Sequence, residues 1–190
     1  MPSFLCIYFR KETKQTQGGR QGMPIRMPDL MRKRIIQITL EDLRSFGIRG
    51  LLLDVDNTLA SHGKPEPLEG VEDWITFMRE AGIKMAIISN NDSVRVSPFA
   101  KRLGLPFVSK AMKPLPSGVK RGIHLLGLPP DTIAVVGDQV YTDVMGAHLA
   151  GTKAVLVEPV DEYETWSFRL RRRLERGVIR RYRRMHGEDA

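Results

Sequence analysis

From Arg49 onward, short runs of Val, Ile and Leu alternate with longer amphipathic segments. That alternation is how a parallel sheet with crossover helices is written in a chain. The predicted strands are Gly50 to Val55, Lys84 to Ser89, Phe107 to Val108, Thr132 to Gly137 and Ala154 to Val157, most of them apolar enough to be covered on both faces. Predicted helices fill the gaps: Leu68 to Glu80, Ser97 to Leu103, Leu115 to Leu126 and Thr142 to Ala150. Ser97 before Pro98 reads as an N-cap followed by a first-turn proline, and Gly82, Gly104, Gly127 and Gly151 read as C-terminal stops. Thr39 to Asp42 opens a short helix ahead of the first of these strands, ending at Gly47.

Such a chain of 190 residues holds one core with appendages rather than two domains. A single cysteine, Cys6, excludes an internal disulfide framework and a Cys-based zinc site, which fits a reducing, cytoplasmic setting. Phe4 to Phe9 is too short to span a bilayer, and it lacks the basic flank and cleavage pattern of a secretory signal. Residues 10 to 22 are polar and glycine-rich and cannot offset the entropy of ordering. Residues 1–26 are therefore expected to be a disordered extension, with Met23 or Met27 as alternative starts. Residues 27–160 then form the domain and 161–190 a basic amphipathic helix.

The net charge of +8 is local: residues 169 to 184 hold nine Arg and one Glu, a surplus equal to the whole excess. Trp166, Leu170, Leu174, Val178 and Tyr182 recur at four-residue steps among those arginines, the pattern of an amphipathic helix. Such a helix can lie on an anionic membrane, bind RNA, or pack its apolar stripe on the sheet and leave arginines in water.

Chemistry is concentrated at the strand ends. Leu-Leu-Leu-Asp54-Val-Asp56 runs a buried strand into two carboxylates, where open parallel sheets place their active crevice. Two like charges that close repel unless a cation or hydrogen bonds relieve them, and a divalent metal is the simplest relief. An Asp-x-Asp pair can equally cap a turn. Three later segments shift the balance. Ser89 and Asn90 follow Ile87-Ile88 and offer a hydroxyl and an amide to phosphoryl oxygens. Lys113, before Pro114, can neutralise developing negative charge, although a lone lysine is most often a solvated surface group. Val135-Val136-Gly137-Asp138 sets a third acid after an apolar run, a hard oxygen ligand of the kind Mg²⁺ prefers, with Gly137 allowing a tight turn beneath it. Asp143 is either a supporting carboxylate or a charge favoured at a helix start.

These four segments, in this order, resemble the haloacid dehalogenase superfamily of phosphatases over about Arg49 to Val157. The resemblance implies a Rossmann-like α/β core. It further implies Asp54 as the nucleophile, Asp56 as the acid-base, Mg²⁺ held by Asp54, the carbonyl of Asp56 and Asp138, Ser89 and Lys113 steadying the phosphoryl group, and Thr58 and Asp143 in support behind them. An Asp at position 56 points to ester hydrolysis, because an alkoxide leaves poorly without a proton. Ser61 to Glu69 and Asp92 to Met112 are too short for a lid domain, so the core is expected to be capless and its site open.

Met27-Pro28-Asp29-Leu30, Ser89-Asn-Asn91, Pro98-Phe99-Ala100, Lys113-Pro-Leu-Pro116, Gly137-Asp-Gln139 with Thr142-Asp143, and the Arg-rich ending resemble a narrower group. These are the bacterial YqeG-type phosphatases, akin to the phosphatidylglycerophosphate phosphatases of mitochondria and plastids. The group implies phosphatidylglycerophosphate as substrate, met at the inner face of a membrane. A soluble sugar phosphate or nucleotide is the alternative; a non-catalytic RNA- or protein-binding module is less expected, and nucleic acid is not the expected partner.

Overall fold

The computed structural model describes residues 27–161 and 166–187, the side chains of 166–172 and 174 excepted. The expected 1–26 extension lies outside them. In chain order the elements are β1 (Leu30–Arg32), α1 (Leu40–Ser45), β2 (Gly50–Leu53), α2 (Val71–Glu80), β3 (Lys84–Ile88), α3 (Ser93–Leu103), β4 (Phe107–Val108), α4 (Pro116–Leu126), β5 (Ile133–Gly137), a π-helical turn (Val140–Val144) running into α5 (Met145–Ala150), β6 (Lys153–Val157) and α6 (Trp166–His186). The strands form one sheet in the order β1-β6-β5-β2-β3-β4, every neighbouring pair parallel. This is the α/β architecture expected from the alternating runs.

Because strand side chains alternate in direction, the continuous apolar runs feed two cores. Leu51, Leu53, Met85, Ile87, Val136 and Val155 pack with α1 to α3 on one face. Leu52, Ala86, Ile88, Val135 and Leu156 pack with α4, α5 and α6 on the other. Leu51, Leu52 and Leu53 are wholly buried, and each such side chain contributes about 1.5–3 kcal/mol relative to exposure.

The predicted starts of α2 and α3 need correction, and edge strand β1 went unpredicted. Helix α3 begins at Ser93 rather than Ser97. Asp92 caps it, its carboxylate accepting from Arg95 N at 3.1 Å, and Pro98 lies inside the helix on the exposed side. The cap offsets part of the cost of the backbone hydrogen bond that Pro98 removes, and burial of Val96, Phe99, Ala100 and Leu103 holds the helix through the proline. Helix α2 begins at Val71 rather than Leu68, because Gly70 adopts φ +79°, which no right-handed helix continues through. Strand β1, only three residues long and on the sheet edge, has too short a pattern to read from sequence.

Helix α6 fulfils the packing alternative along its described inner face: Tyr182 is buried, and Val178 and Ile179 pack against the second core. Arg173, Arg176, Arg180, Arg181 and Arg184 are exposed. No described helix is long and apolar enough to cross a membrane.

Candidate active site

The chain runs from β2 outward through β3 and β4, then returns across β2 to β5 and β6. The order of strands therefore reverses between β2 and β5, and there the crevice at the strand ends opens. Asp54 leaves β2 with its N–H donating to Val136 O at 2.9 Å, and Asp138 leaves β5 beside it. After Val55 the chain folds under itself: the N–H groups of Thr58, Leu59 and Ala60 all donate to Val55 O, and Asn57 takes φ +62°. Asn tolerates this left-handed conformation better than other side chains bearing a Cβ.

Lys113 is the hub. Its Nζ donates to Asp54 Oδ1 and Asp143 Oδ1, each at 2.7 Å, and to Ile88 O at 3.2 Å, so all three ammonium protons are placed. The lysine is buried, contrary to the usual solvated role. One cation faces three buried carboxylates, for Asp54, Asp138 and Asp143 each bring an oxygen within 4.8 Å of the others. Burial pushes the Asp54 carboxyl up; Lys113 pulls it back, but Asp143 and Asp138 push further, and it settles at about 7. Burial pulls Lys113 down, but the charges of Asp143 and Asp54 outweigh it and hold the ammonium above its ordinary value.

Asp143 joins both roles left open by the sequence: it sits in the first turn of the π-helical segment and its side chain enters the site. Its Oδ2 accepts from Gln139 N at 3.2 Å and from Thr142 Oγ1 at 3.3 Å. Gly137 matters for room rather than for a tight turn, since its φ is not in the left-handed region. A Cβ there would fall on the Asp143 carboxylate and within 2.7 Å of its Cβ. Helix α6 braces the same segment, because Glu175, wholly buried, accepts from Val140 N at 3.0 Å.

Ser89 is buried, its Oγ accepting from Asn91 N at 3.2 Å. Asn90 is placed differently from the sequence expectation. Its Oδ1 accepts from Lys113 N at 2.7 Å and its Nδ2 donates to Lys113 O at 3.1 Å, so the amide fixes the loop that carries the lysine. Thr58 Oγ1 is buried and meets no hydrogen-bond partner among the described residues.

Asp56 is held by other partners than Asp54. Asn91 Nδ2 donates to its Oδ2 at 2.7 Å, while Gly63 N and the Arg95 guanidinium donate to Oδ1, with His62 Nδ1 3.5 Å away. Arg95 and His62 were missed in the sequence. One lies on a helix and the other on a loop, and no spacing ties either to Asp56; Asn91, directly after Ser89-Asn90, was the only local hint.

The donor set fits a hard divalent cation: clustered, buried carboxylates with one lysine to balance three charges. Of the three, Asp143 is already engaged at both oxygens.

A family model for haloacid dehalogenase-like hydrolases matches residues 27–151. The chain is 36% identical over 153 residues to the Probable phosphatase YqeG of Bacillus subtilis (strain 168), covering 80% of this chain and 89% of that protein. Among solved structures, it is similar to an uncharacterized protein from Listeria monocytogenes serotype 4b (TM-score 0.51, 16% identity, 62% of this chain and 85% of that one). It is similarly related to NagD from E. coli K-12 (TM-score 0.51, 11% identity, 60% and 90%). These two structural likenesses concern the fold alone.

Proposed function

Because the chain belongs to the haloacid dehalogenase-like hydrolases and is a phosphatase of that family, we propose that it hydrolyses phosphatidylglycerophosphate through a phosphoryl-aspartate on Asp54, with Mg²⁺ as cofactor. The observation that carries this reading is the buried Asp54–Lys113–Asp143 cluster at the ends of β2 and β5, with Asp56 held separately beside it. A carboxylate fixed by a buried lysine is an oriented nucleophile, and a second carboxylate with partners of its own is suited to carry protons.

In the first step an Asp54 carboxylate oxygen bonds to phosphorus, the bond from phosphorus to the leaving oxygen breaks, and Asp56 gives that oxygen its proton. In the second, water attacks the phosphorus of phospho-Asp54, Asp56 accepts the water's proton, and Asp54 is regenerated as inorganic phosphate leaves. Lys113 keeps Asp54 in place and offsets the charge gathering on the phosphoryl oxygens; we assign Ser89 as a hydroxyl donor to those oxygens, with the buried Thr58 hydroxyl in support behind it. We assign Asp54, the carbonyl of Asp56 and Asp138 as ligands of Mg²⁺, which when bound supplies further charge neutralisation at those oxygens, and Asp143 as the group that holds Lys113.

Support for a large amphiphilic substrate comes from the rim. Among the described residues no separate lid stands over the strand ends, and Val94, Met112 and Leu115 are 82%, 58% and 56% exposed on the two segments that Asn90 ties together. The exposed arginines of α6 suit an anionic surface at the inner face of the membrane. The test is phosphate release from phosphatidylglycerophosphate in vesicles, sugar phosphates and nucleotides, with Mg²⁺ and with chelator. The lipid is expected to be the best substrate and chelation to stop release. Turnover of soluble esters far above that of the lipid would assign the soluble class instead.

A further inference from the structure

Beside Asp56 lies a cleft of about 400 Å³, within the usual size of small-molecule sites. It opens between the loop after Asp56 and helix α3. Its apolar floor is Val55, Val96 and Phe99, all buried, and its charged groups are Lys64, Arg95 and Arg102. Among the described residues no carboxylate lines it. Glu72, outside the lining, holds Arg102 through Nε at 2.8 Å.

The position of this cleft follows from the chemistry. In an in-line displacement the leaving oxygen departs on the side of phosphorus away from Asp54, and the acid that protonates it must lie within hydrogen-bond reach. Asp56 is that acid in the proposed mechanism. Groups lining the cleft hold it directly: Arg95 and Gly63 N donate to Oδ1 and Asn91 to Oδ2. The alcohol part of the substrate therefore has this cleft as its neighbour. A sugar would call for neutral hydrogen-bonding side chains all along the walls. Here Ser89 and Asn91 are the neutral polar side chains, and the rest of the lining offers carbon below and three cations around, complementary to a short carbon chain bearing negative charge.

We infer that this cleft is a leaving-group subsite that selects phosphomonoesters whose alcohol carries a second anion, with Lys64 and Arg102 as specificity-determining residues. The inference rests on the phosphatase reading above and names what the site recognises next to the scissile ester. A phosphodiester and a second phosphate share the required chemistry.

Three soluble esters of the same alcohol type separate the possibilities without any contribution from a membrane surface: glycerol 3-phosphate, glycerol 1,3-bisphosphate, and glycerophosphoglycerol phosphate, the deacylated lipid headgroup. With full-length protein and Mg²⁺, kcat/KM for the two esters with a second anion is expected to exceed that for glycerol 3-phosphate by about tenfold or more, the value of one charge-assisted hydrogen bond. The larger of the two ratios identifies which anion the site prefers. In the Lys64→Gln/Arg102→Gln variant both ratios should fall toward one, while Lys64→Arg should keep them. Both residues are surface-exposed, and an unchanged melting temperature would establish that the fold is intact. Equal kcat/KM for all three esters, or ratios unmoved in the double variant, would overturn the inference and leave the phosphatase reading standing. Failure to release phosphate from these esters and from p-nitrophenyl phosphate alike would overturn both.

Discussion

Replacing Gly137 with Ala tests how tightly the strand end and the buried charges are fitted to each other. The added Cβ would coincide with the Asp143 carboxylate and approach its Cβ to 2.7 Å, so something must move. Two responses are open. The strand can shift to admit the methyl group, and overpacking of this kind costs about 1–3 kcal/mol. Alternatively Asp143 can swing away and leave Lys113 with one carboxylate fewer, but breaking a buried ion pair costs about 3–5 kcal/mol. The cheaper response prevails, so a loss of about 1–3 kcal/mol is expected. For a chain of this size that lowers Tm by roughly 2–12 °C. Because Asp143 and Asp54 share the Lys113 ammonium, the shift should reach the nucleophile and reduce phosphate release by about tenfold or more. A double-mutant cycle with Asp143→Gly, which removes the three atoms nearest the new methyl, isolates the steric term. The double variant should be more stable than the sum of the single losses implies, by about 0.5–3 kcal/mol. The assays are urea unfolding, circular-dichroism melting and phosphate release. A Gly137→Ala variant that melts within about 1 °C of the parent, or a strictly additive cycle, would refute the steric argument.

Asp54→Asn should fold normally and release no phosphate, since an amide cannot serve as the nucleophile; turnover within about tenfold of the parent would rule out the covalent route. Asp56→Asn should lose about 10²- to 10⁴-fold in kcat, and mass spectrometry should detect phosphorylated Asp54 if the second step is the one most slowed. The Asp54 carboxyl titrates in the fold at about 7 against 3.8 for an ordinary Asp, so its contribution to the stability of the metal-free protein is present below about 4 and lost as pH rises through 7. A cation bound there must displace that proton, so calorimetric Mg²⁺ affinity should fall about tenfold per pH unit below 7. Affinity that stays constant from pH 5.5 to 8 would contradict this. Glu175→Ala strips the buried Val140 N–H of its acceptor and should cost about 1–3 kcal/mol; Glu175→Gln, which retains an acceptor, should cost less. Truncation after Pro159 removes this brace and uncovers the core face beneath Tyr182, so melting temperature and hydrolysis of soluble and lipid esters should fall together. Loss of lipid turnover alone would instead make α6 purely a membrane contact.

The sequence by itself determined the layered α/β class and the strand ends that carry acids, because both are written locally. A buried parallel strand must be apolar throughout, and the residue that ends it must be polar to stand in the crevice. Gly50 to Leu53, Lys84 to Ile88 and Ile133 to Gly137 were therefore found to within a residue or two, and Asp54, Asp56, Ser89, Lys113 and Asp138 could be named from their places in the chain. What each of those side chains touches was not local. The tertiary structure set Lys113 between Asp54 and Asp143, 59 and 30 residues away in sequence, and turned Asn90 from the crevice to the Lys113 backbone. It brought Arg95 and His62 to Asp56, and gave Gly137 the task of making room for Asp143. It also decided the basic tail. An amphipathic pattern states that one face will be covered but not by what; here the described inner face is covered by the core, and the one acid among nine arginines, Glu175, became the group that holds the segment carrying Asp143.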